Sequence, residues 1–276
     1  MPTLQGRRIA LLESRQGDEF ATLIHRLGGE PVCAPAIDQV PCHNDFNTFI
    51  DGLTQRRFSL AIFLTGAGTA TLLDEAKRRG RLADAVDALR QLRVACRGAK
   101  PLAALKRHGI RPQITTARPH TTRSLMAALE HADVKDRGVL LVHSGERNAE
   151  AASALRSRGA RLEEVSPYEW MLPDDLAPMT RLVRDAIAHR LDAMLFTSQV
   201  QCRHLFQVAS DMSQAEGLAL SLNRTIVVGA VGPVCAGALK RAGVNPDVIP
   251  SSPNMPALIT AVAQYFETEA FHTTKC

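Results

Sequence analysis

The stretch ALKRHGI at residues 104–110 recurs as ALKRAGV at residues 238–244, an offset of 134 residues. The chain has 276 residues, so this offset is close to half its length. Self-similarity at one fixed long spacing is the sequence signature of a duplicated structural unit. The chain therefore reads as two copies of one unit, which cover roughly 7–130 and 138–266.

Further matches extend the repeat on both sides of this stretch. They are RIALLES (8–14) with GVLLVHS (138–144), LIHRLGGEPVCAP (23–35) with ALRSRGARLEEVSP (154–167), LAIFLT (60–65) with AMLFT (193–197), and Pro119 with Pro253. Each proline lies in a small polar loop that leads into an apolar helical stretch. The two copies therefore share an order of elements as well as short motifs.

Within each copy, short apolar runs alternate with amphipathic helical stretches. Strands are predicted at 8–13, 31–34, 60–64, 92–96, 112–115, 138–143, 161–165, 192–197, 224–229 and 246–249. Helices are predicted at 17–28, 45–55, 68–79, 99–108, 121–131, 147–158, 174–190, 199–210, 232–242 and 254–267. The alternation predicts an α/β fold in which the five parallel strands of each copy make a small doubly wound unit. Ligands of such sheets bind beyond the carboxyl ends of the strands.

The composition is that of a globular protein. Hydrophobic residues make up 45% and charged residues 22%, which excludes a disordered, collagen-like or disulfide-scaffold chain. The six cysteines contain no CxxC pair and no spacing with histidine that would close a metal site. Neither a signal peptide nor an apolar stretch of about 18 residues is present, so we expect a cytoplasmic protein without a membrane partner.

Arginine dominates the basic residues. The net charge is +5, with 27 arginines against six lysines. Because its planar fork donates paired hydrogen bonds to carboxylates and phosphates, arginine in excess favours an anionic ligand. Genomic base composition explains the excess equally well, since the arginines are spread along the chain. No block of like charge indicates nucleic-acid binding.

Small and hydroxylated residues follow several of the predicted strands. They are Thr65, Gly66, Ala67 and Gly98 in the first copy, and Ser144, Gly145, Arg147, Thr197, Ser198, Gln199 and Gly232 in the second. At a helix start such residues cap free amides, and those amides attract anions. Plain capping explains any single loop. Loops of this kind at the same edge of both sheets favour a site that binds several carboxylates or phosphates.

Other chemistry finds less support. TGAGTA at 65–70 resembles part of a dinucleotide fingerprint, but it lies on the third strand of its copy and no strand-ending acid follows about 20 residues later. Nicotinamide binding remains a minor alternative. Ser144 lacks a nucleophile elbow, and no acid is spaced to complete a triad.

Tyr168 is one of only two tyrosines, and it lies in VSPYEWMLP near the middle of the chain. A phenol can donate a proton without bringing a charge into a site. The alternative is that Tyr168 and Trp170 pack where the chain passes between the units. Tyr265, in ALITAVAQYF, falls on an apolar helical stripe and is predicted to be core.

The duplicated unit resembles the uroporphyrinogen-III synthase family from about Arg7 to Phe266. The motifs that carry the resemblance are FLTGAG, LFTSQ, VVGAVGP followed by ALKRAGV, SSPNMPALITAV, and SPYEW at the midpoint. The resemblance implies two similar α/β domains, 1–38 plus 172–276 and 39–171, joined by a two-stranded linker with the active-site cleft between them. It also matches Arg15 to an arginine that follows the family's first strand.

This resemblance implies a monomeric lyase that needs no cofactor and serves haem, sirohaem or cobalamin biosynthesis. Its substrate would be hydroxymethylbilane, a linear tetrapyrrole with eight carboxylates, with the upstream deaminase as a transient partner. Loss of the terminal hydroxyl as water, coupling at ring D through a spiro intermediate and reclosure would invert that ring. Tyr168 matches the family's proposed acid. Arg15 and the loop residues named above would hold the acetate and propionate groups.

The chain departs from the family in three loops. Ser14 stands where the family often has threonine. Val234 and Cys235 follow the last Gly-Pro, where the family tends to have a hydroxyl group. The hydroxyl group is likewise missing after Gly98, where this chain has Ala99, Lys100 and Pro101. These losses leave open a non-catalytic or regulatory tetrapyrrole-binding relative of the same fold. The short stretch after Phe266 offers no output module, which favours the enzyme.

Overall fold

The computed structural model of the protein describes residues 2–14, 17–42, 45–143 and 145–268. The strands are β1 (Arg8–Leu11), β2 (Glu30–Cys33), β3 (Asp38–Pro41), β4 (Leu60–Phe63), β5 (Arg93–Cys96), β6 (Ile114–Thr115), β7 (Gly138–Val142), β8 (Arg161–Val165), β9 (Tyr168–Met171), β10 (Ala193–Phe196) and β11 (Val227–Ala230). The helices are α1 (Gly17–Arg26), α2 (Asp45–Thr54), α3 (Gly66–Arg78), α4 (Leu82–Gln91), α5 (Ala99–Lys106), α6 (Thr122–Ala128), α7 (Ala149–Ser157), α8 (Ala177–Ile187), α9 (Gln199–Asp211), α10 (Ala215–Arg224), α11 (Pro233–Arg241) and α12 (Met255–Phe266).

The chain divides into two compact units. Unit 1 comprises Met1–Asp38 and Met171–Cys276, and unit 2 comprises Gln39–Trp170. The sheet of unit 2 has the strand order β6-β5-β4-β7-β8, and that of unit 1 has the order β11-β10-β1-β2. The pairs in both sheets are parallel. Both units therefore have the parallel α/β architecture that the alternating pattern predicts.

Each sheet combines strands from both copies of the repeat. In unit 2, β4 from the first copy pairs with β7 from the second, with Phe63 opposite Val142. In unit 1, β1 from the first copy pairs with β10 from the second, with Leu11 opposite Leu195. The expectation from periodicity that each copy forms its own sheet is therefore wrong. A repeat fixes which strands exist, but it leaves open which copy supplies the neighbour of each strand.

The core of unit 2 lies on both faces of its sheet. Strand β4 has the sequence LAIF and is buried along its whole length, as expected for a strand covered by helices on both sides. Ala61 and Phe63 pack with α2, α3, α4 and α5, whereas Leu60 and Ile62 pack with α6 and α7. Full burial of an Ile or Phe side chain stabilises a fold by about 1.5–3 kcal/mol, so this central strand anchors the unit.

Unit 1 repeats this layering with other helices. On one face, Ile9, Leu11 and Leu195 pack with α1 and α12. On β10 the alternate residues Met194 and Phe196 are also fully buried, and α9 and α10 contact β10 and β11. In place of a strand at 246–249, the structure has a single bridge between Val248 and Gly229.

Two pairs of elements were not predicted from periodicity. The helices α4 and α10 follow α3 and α9 at matching places in the two copies. The strands β3 and β9 pair with each other, apart from the two larger sheets. They lie where the chain passes from one unit to the other, in keeping with the two-stranded linker that the family resemblance implies. Within the described ranges, no helix is long and apolar enough to cross a membrane.

The pairing of β4 with β7 can be tested at Gly138, the first residue of β7. Its carbonyl accepts a hydrogen bond from the Ser59 amide at 2.8 Å, and a Cβ built on it would lie 1.9 Å from the Arg57 carbonyl oxygen. Because backbone blocks that space, we expect Gly138→Ala to destabilise unit 2 by about 1–3 kcal/mol. Urea unfolding followed by the fluorescence of Trp170, the single tryptophan, would measure the loss. Gly17→Ala, where a Cβ meets nothing within 4 Å, is the control. Equal stability of the two variants would contradict the predicted clash.

Candidate functional site at the carboxyl edges of the sheets

Each sheet has one place where neighbouring strands send the chain in opposite directions. In unit 2 the chain leaves β4 toward β5 and leaves β7 toward β8, and in unit 1 it leaves β10 toward β11 and β1 toward β2. Doubly wound sheets bind ligands in the crevice beyond the carboxyl ends of such strands. The candidate site in each unit is therefore the set of loops that follow these strands.

In unit 2 the loop after β4 is packed closely between its neighbours. Thr65 caps α3, since its Oγ1 accepts a hydrogen bond from the Gly68 amide at 3.1 Å. A Cβ on Gly68 would lie 2.7 Å from the His143 carbonyl oxygen, and one on Gly66 would lie 2.9 Å from the Lys100 Cβ. Glycine is thus required where the start of α3 touches the loops after β5 and β7. Ala67, beside Gly66, is half-buried.

Two further glycines at this edge hold backbone conformations that side chains rarely adopt. Gly98 has φ +98° and lies against the His120 ring, which a Cβ would approach to 2.8 Å. Gly145 has φ +68° and lies against the Trp170 indole. The Gly145 carbonyl also accepts a hydrogen bond from the Trp170 amide at 3.3 Å. Gly98 and Gly145, which were predicted to bind substrate, are therefore buried and have only backbone atoms to offer. Ser144, predicted with them, lies outside the described residues.

Sequence reasoning missed a cluster of ionisable side chains around the buried His143 at this same edge. His143 is 1% exposed, and its Nε2 lies 2.8 Å from Glu164 Oε2 on β8. Its Nδ1 accepts a hydrogen bond from the Asn148 amide at 3.2 Å, so the ring proton is on Nε2. Burial lowers the pKa of His143, although the neighbouring Glu164 raises it. The ring is therefore held neutral in one tautomer and joins the loop after β7 to β8.

Arg147, a predicted ligand residue, belongs to this cluster. Its guanidinium donates a hydrogen bond from Nη2 to Glu164 Oε1 at 2.9 Å, its Nε lies 2.8 Å from Glu164 Oε2, and Arg156 contacts the same carboxylate. Burial raises the pKa of Glu164, but the hydrogen bonds from Arg147, Arg156 and His143 outweigh burial and lower it to about 2. Arg147 is thus engaged by a carboxylate of the protein itself.

The edge of unit 1 is built on hydroxyl and amide groups. Ser198 caps α9 in a reciprocal capping box with Gln201. The Gln201 Oε1 accepts from the Thr197 amide at 2.7 Å, and its Nε2 donates to Glu13 Oε1 at 3.1 Å. The Thr197 hydroxyl also donates to Glu13. Sequence reasoning did not single out Glu13. Its carboxylate accepts a hydrogen bond from the Thr197 hydroxyl, the group that was predicted to bind a substrate carboxylate.

The other predicted residues of unit 1 lie on the starts of neighbouring helices. Gln199 is the first residue of α9 and is half-buried. Gly232 is the buried N-cap of α11 and makes no side-chain cap. Beside it, Cys235 donates its thiol to the Phe196 carbonyl at 3.5 Å, and burial raises its pKa to about 12. Cys235 thus fills the core instead of offering a hydroxyl. Arg15 lies outside the described residues.

Tyr168, the predicted acid, lies in β9 and is only 2% exposed. Its ring meets the Trp170 ring edge-on, with centroids 4.8 Å apart and planes at 67°. This packing agrees with the alternative in which the two aromatic residues stabilise the segment between the units. Tyr265 packs against the apolar core of unit 1, as expected.

Neither the groove in unit 2 nor the arrangement of possible metal-binding side chains in the described residues indicates a different site. A groove of about 390 Å³ in unit 2 is lined by residues at the end of α2 and along α4, at the amino edge of the sheet. Among the described residues, no group of three or more His, Cys, Asp or Glu side chains is placed to hold a metal ion. The carboxyl edges remain the places where polar groups converge.

Comparison with known proteins identifies the family. The family described as "Uroporphyrinogen-III synthase HemD" matches residues 18–260. The chain belongs to the uroporphyrinogen-III synthase family. The matched range spans the loops after β4, β5, β7, β10 and β11, and it begins after the loop that follows β1. The resemblance carried by FLTGAG, LFTSQ and SPYEW is thereby confirmed.

Relatives and solved structures agree with this family. A Bacillus subtilis (strain 168) protein described as "Uncharacterized protein YjjA" is 32% identical over 269 residues, covering 96% of this chain and 97% of its own length. A Chlorobaculum parvum uroporphyrinogen-III synthase is 26% identical over 186 residues, covering 66% and 70%. A crystal structure of mutant uroporphyrinogen III synthase from the extremely thermophilic bacterium Thermus thermophilus superimposes with a TM-score of 0.77 at 24% identity, covering 95% and 99%. The predicted α/β fold with parallel sheets is confirmed.

The charged cluster of this family member predicts a pH-dependent stability. We expect Glu164→Gln to lower the free energy of unfolding at pH 7 by about 1 kcal/mol, because charge-assisted hydrogen bonds to a half-buried carboxylate are lost, while water screens its exposed partners Arg147 and Arg156. The lowered pKa of Glu164 favours the folded state above the unfolded pKa of about 4.5, and this contribution disappears as the pH falls from there toward 2. The deficit of the variant should therefore shrink over the same range.

Urea unfolding at a series of pH values, followed by Trp170 emission, would measure this deficit. Glu150→Gln is the matched control, because Glu150 is exposed on α7 and has no ion-pair partner in the part of the chain that the structure describes. A deficit for Glu164→Gln that stays constant between pH 7 and pH 3 would show that the ion pairs do not stabilise the fold.

Proposed function

We propose that this chain has uroporphyrinogen-III synthase activity and converts hydroxymethylbilane to the cyclic tetrapyrrole with ring D inverted. The observation that carries the proposal is that the family match spans residues 18–260, which include the loops after β4 and β7 in unit 2 and after β10 in unit 1. These loops offer capped helix starts and hydroxyl groups suited to carboxylates. The reaction breaks the bond between the terminal methylene carbon and its hydroxyl oxygen, which leaves as water with one added proton. The substituted α-carbon of ring D attacks the terminal methylene carbon of the resulting azafulvene and forms the spiro intermediate. The bond from that ring carbon to its original methylene bridge then breaks, and the freed methylene carbon bonds to the other α-carbon of ring D, which loses its proton.

The protein's part in this reaction is to hold a flexible polyanion in one folded conformation. The spiro intermediate forms only if the terminal methylene carbon meets the substituted carbon of ring D, and proximity of reacting atoms lowers such a barrier strongly. Backbone amides at the starts of α3, α5, α9 and α11 are the proposed donors to the substrate carboxylates. The chain therefore contributes positioning, with one proton delivered to the leaving hydroxyl.

We further propose the organisation implied by the family. The domains are 1–38 plus 172–276 and 39–171, and the enzyme works as a cytoplasmic monomer without a cofactor, receiving its substrate from the upstream deaminase in a transient contact. The proposed substrate contacts are Arg15, Thr65, Gly66, Ala67, Gly98, Ser144, Gly145, Arg147, Thr197, Ser198, Gln199 and Gly232.

A second candidate function is tetrapyrrole binding without turnover. It is favoured by Glu13, whose carboxylate accepts the Thr197 hydroxyl, and by Cys235, whose thiol is directed to a core carbonyl. In such a protein the edge of unit 1 would be closed to a substrate carboxylate. This relative would bind hydroxymethylbilane or its product but leave ring closure to the uncatalysed path.

An isomer assay separates the two functions. Hydroxymethylbilane made in place by a purified deaminase is supplied to the protein, and the oxidised products are separated into uroporphyrin isomers I and III. We expect mainly isomer III, because spontaneous closure without ring inversion gives isomer I. A product mixture equal to that of the deaminase alone would contradict the proposed activity.

Tyr168 is proposed as the acid that protonates the departing hydroxyl. Tyr168→Phe keeps the ring that packs on Trp170 and removes only the phenolic hydroxyl, so the fold should remain and turnover should fall by about 100-fold. Steady-state assays of isomer III formation would measure this fall. Tyr265→Phe makes the same chemical change on the core of unit 1 and serves as the control. Equal turnover in both variants would assign Tyr168 to packing alone.

A further inference from the structure

Arg97 stands at the carboxyl edge of unit 2, directly after β5. Its amide donates to the Phe63 carbonyl at 3.0 Å, so the residue continues the pairing of β5 with β4. Its side chain is half-buried and reaches α6, where Nη1 donates to Thr122 Oγ1 over a long 3.5 Å. Thr122 Oγ1 also accepts from Asn148 Nδ2 at 2.8 Å, beside the start of α7. The guanidinium thus lies among the loops after β5, β6 and β7.

No carboxylate of the described chain neutralises this guanidinium. Glu164, the acid of the charged cluster at this edge, is engaged by Arg147, Arg156 and His143. Burial lowers the pKa of Arg97. A partly buried charge without a counter-ion is unfavourable unless something else compensates it. Arginine has five N–H donors, and Thr122 uses one of them, so the fork keeps donors for a planar anion.

Other cations of the same edge are also without ion-pair partners in the described ranges. Lys100 is exposed in the first turn of α5, Arg118 is exposed in the loop after β6, and Arg123 is exposed near the start of α6. Glu146, an acidic residue, belongs to the loop after β7. The loops and helix starts of this edge therefore carry more cations than acidic residues, and Arg97 is the half-buried cation of this set.

The repeat shows that the fold does not need these charges. At the offset of 134 residues that relates ALKRHGI to ALKRAGV, the four cations correspond to neutral residues of unit 1, namely Val231, Val234, Ser252 and Ala257. With those neutral residues, unit 1 forms a parallel sheet of four strands, has a single bridge where unit 2 has β6, and starts α11 and α12 at places that match the starts of α5 and α6. A charge that one copy carries and the other lacks, on matching backbone, indicates a ligand of unit 2 and not a requirement of folding.

We propose that Arg97, with Lys100, Arg118 and Arg123, forms a carboxylate-binding surface on unit 2 that pairs with the acetate and propionate groups of the substrate. Arg97 takes one carboxylate in a bidentate contact, and the exposed cations provide attraction for the others. The identity of the ligand rests on the proposed function, whereas the site itself rests on the residues described above. Unit 1, by contrast, offers hydroxyl and amide donors with Glu13 among them.

Binding of uroporphyrin III, a stable porphyrin with eight carboxylates, tests the surface without turnover. Quenching of Trp170 fluorescence would report binding, since this tryptophan is the single one in the chain. We expect Arg97→Met to weaken binding by about 10- to 100-fold, as for loss of a charge-assisted hydrogen bond. Arg97→Lys should lose less, because it keeps the charge but not the fork. The control is Arg111→Met, an exposed arginine before β6 at the amino edge of the same sheet.

Further arms keep the test decisive. If Arg97→Met lowers the melting temperature, the double variant K100M/R123M replaces it, since both side chains are exposed. This pair should weaken binding and flatten its salt dependence. Coproporphyrin III, with four carboxylates, should bind more weakly than uroporphyrin III to the wild type. Displacement of uroporphyrin III by tripolyphosphate at equal concentration would overturn the proposal in favour of a phosphate site.

The outcomes distinguish this inference from the proposed activity. If the wild type makes isomer III while Arg97→Met and K100M/R123M both bind uroporphyrin III like Arg111→Met, the surface is wrong and the activity stands. If the wild type makes no isomer III but binding depends on Arg97, the surface stands and the activity is wrong.

Discussion

The pairing of strands from different copies is the constraint on which the rest of the structure depends. β1 and β2 of the first copy complete the sheet of β10 and β11, while β7 and β8 of the second copy complete the sheet of β4, β5 and β6. Each central pair, β4 with β7 and β1 with β10, is formed by buried apolar strands whose side chains face helices on both sides. These pairs also create the switch points, because the chain leaves the two strands of each pair in opposite directions. Without the exchange there would be no shared edge between Thr65 and His143, or between Glu13 and Thr197.

Sequence periodicity predicts local elements well where a cap or a breaker marks their ends. The start of α3 at Thr65 and that of α9 at Ser198 carry side-chain caps, and both helices were predicted. The helices α4 and α10 start at Arg81 and Gln214, which make no side-chain cap, and both were missed. The exchange of strands could not be predicted from periodicity, since equivalent strands of the two copies are alike. Resemblance to the family supplied the discontinuous boundaries 1–38 plus 172–276.

For the candidate site, the loops could be predicted but their charged partners could not. The hydroxyls of Thr65, Thr197 and Ser198 follow strands directly, and the structure places them at helix starts. Glu164 lies next to the last residue of β8, in a segment whose pattern indicates only a strand, and it reaches His143 because β7 and β8 are neighbours. Glu13 reaches Thr197 through the pairing of β1 with β10. Contacts that join residues of distant sequence depend on the strand order, which periodicity alone leaves open.

The two edges show how one duplicated backbone has acquired two chemistries. In the match of RIALLES with GVLLVHS, Glu13 and His143 occupy equivalent positions at the ends of β1 and β7. Glu13 places a carboxylate on the hydroxyl of the neighbouring loop, whereas His143 is buried and neutral and binds a carboxylate from its own sheet. Arg97 of unit 2 carries a positive charge, whereas the equivalent Val231 of unit 1 is neutral. Two edges of the same charge would bind an anion equally well. Because the edges of the two units differ in charge, an anionic ligand favours the edge of unit 2, and the sheet and helix starts that the units share do not by themselves decide where it binds.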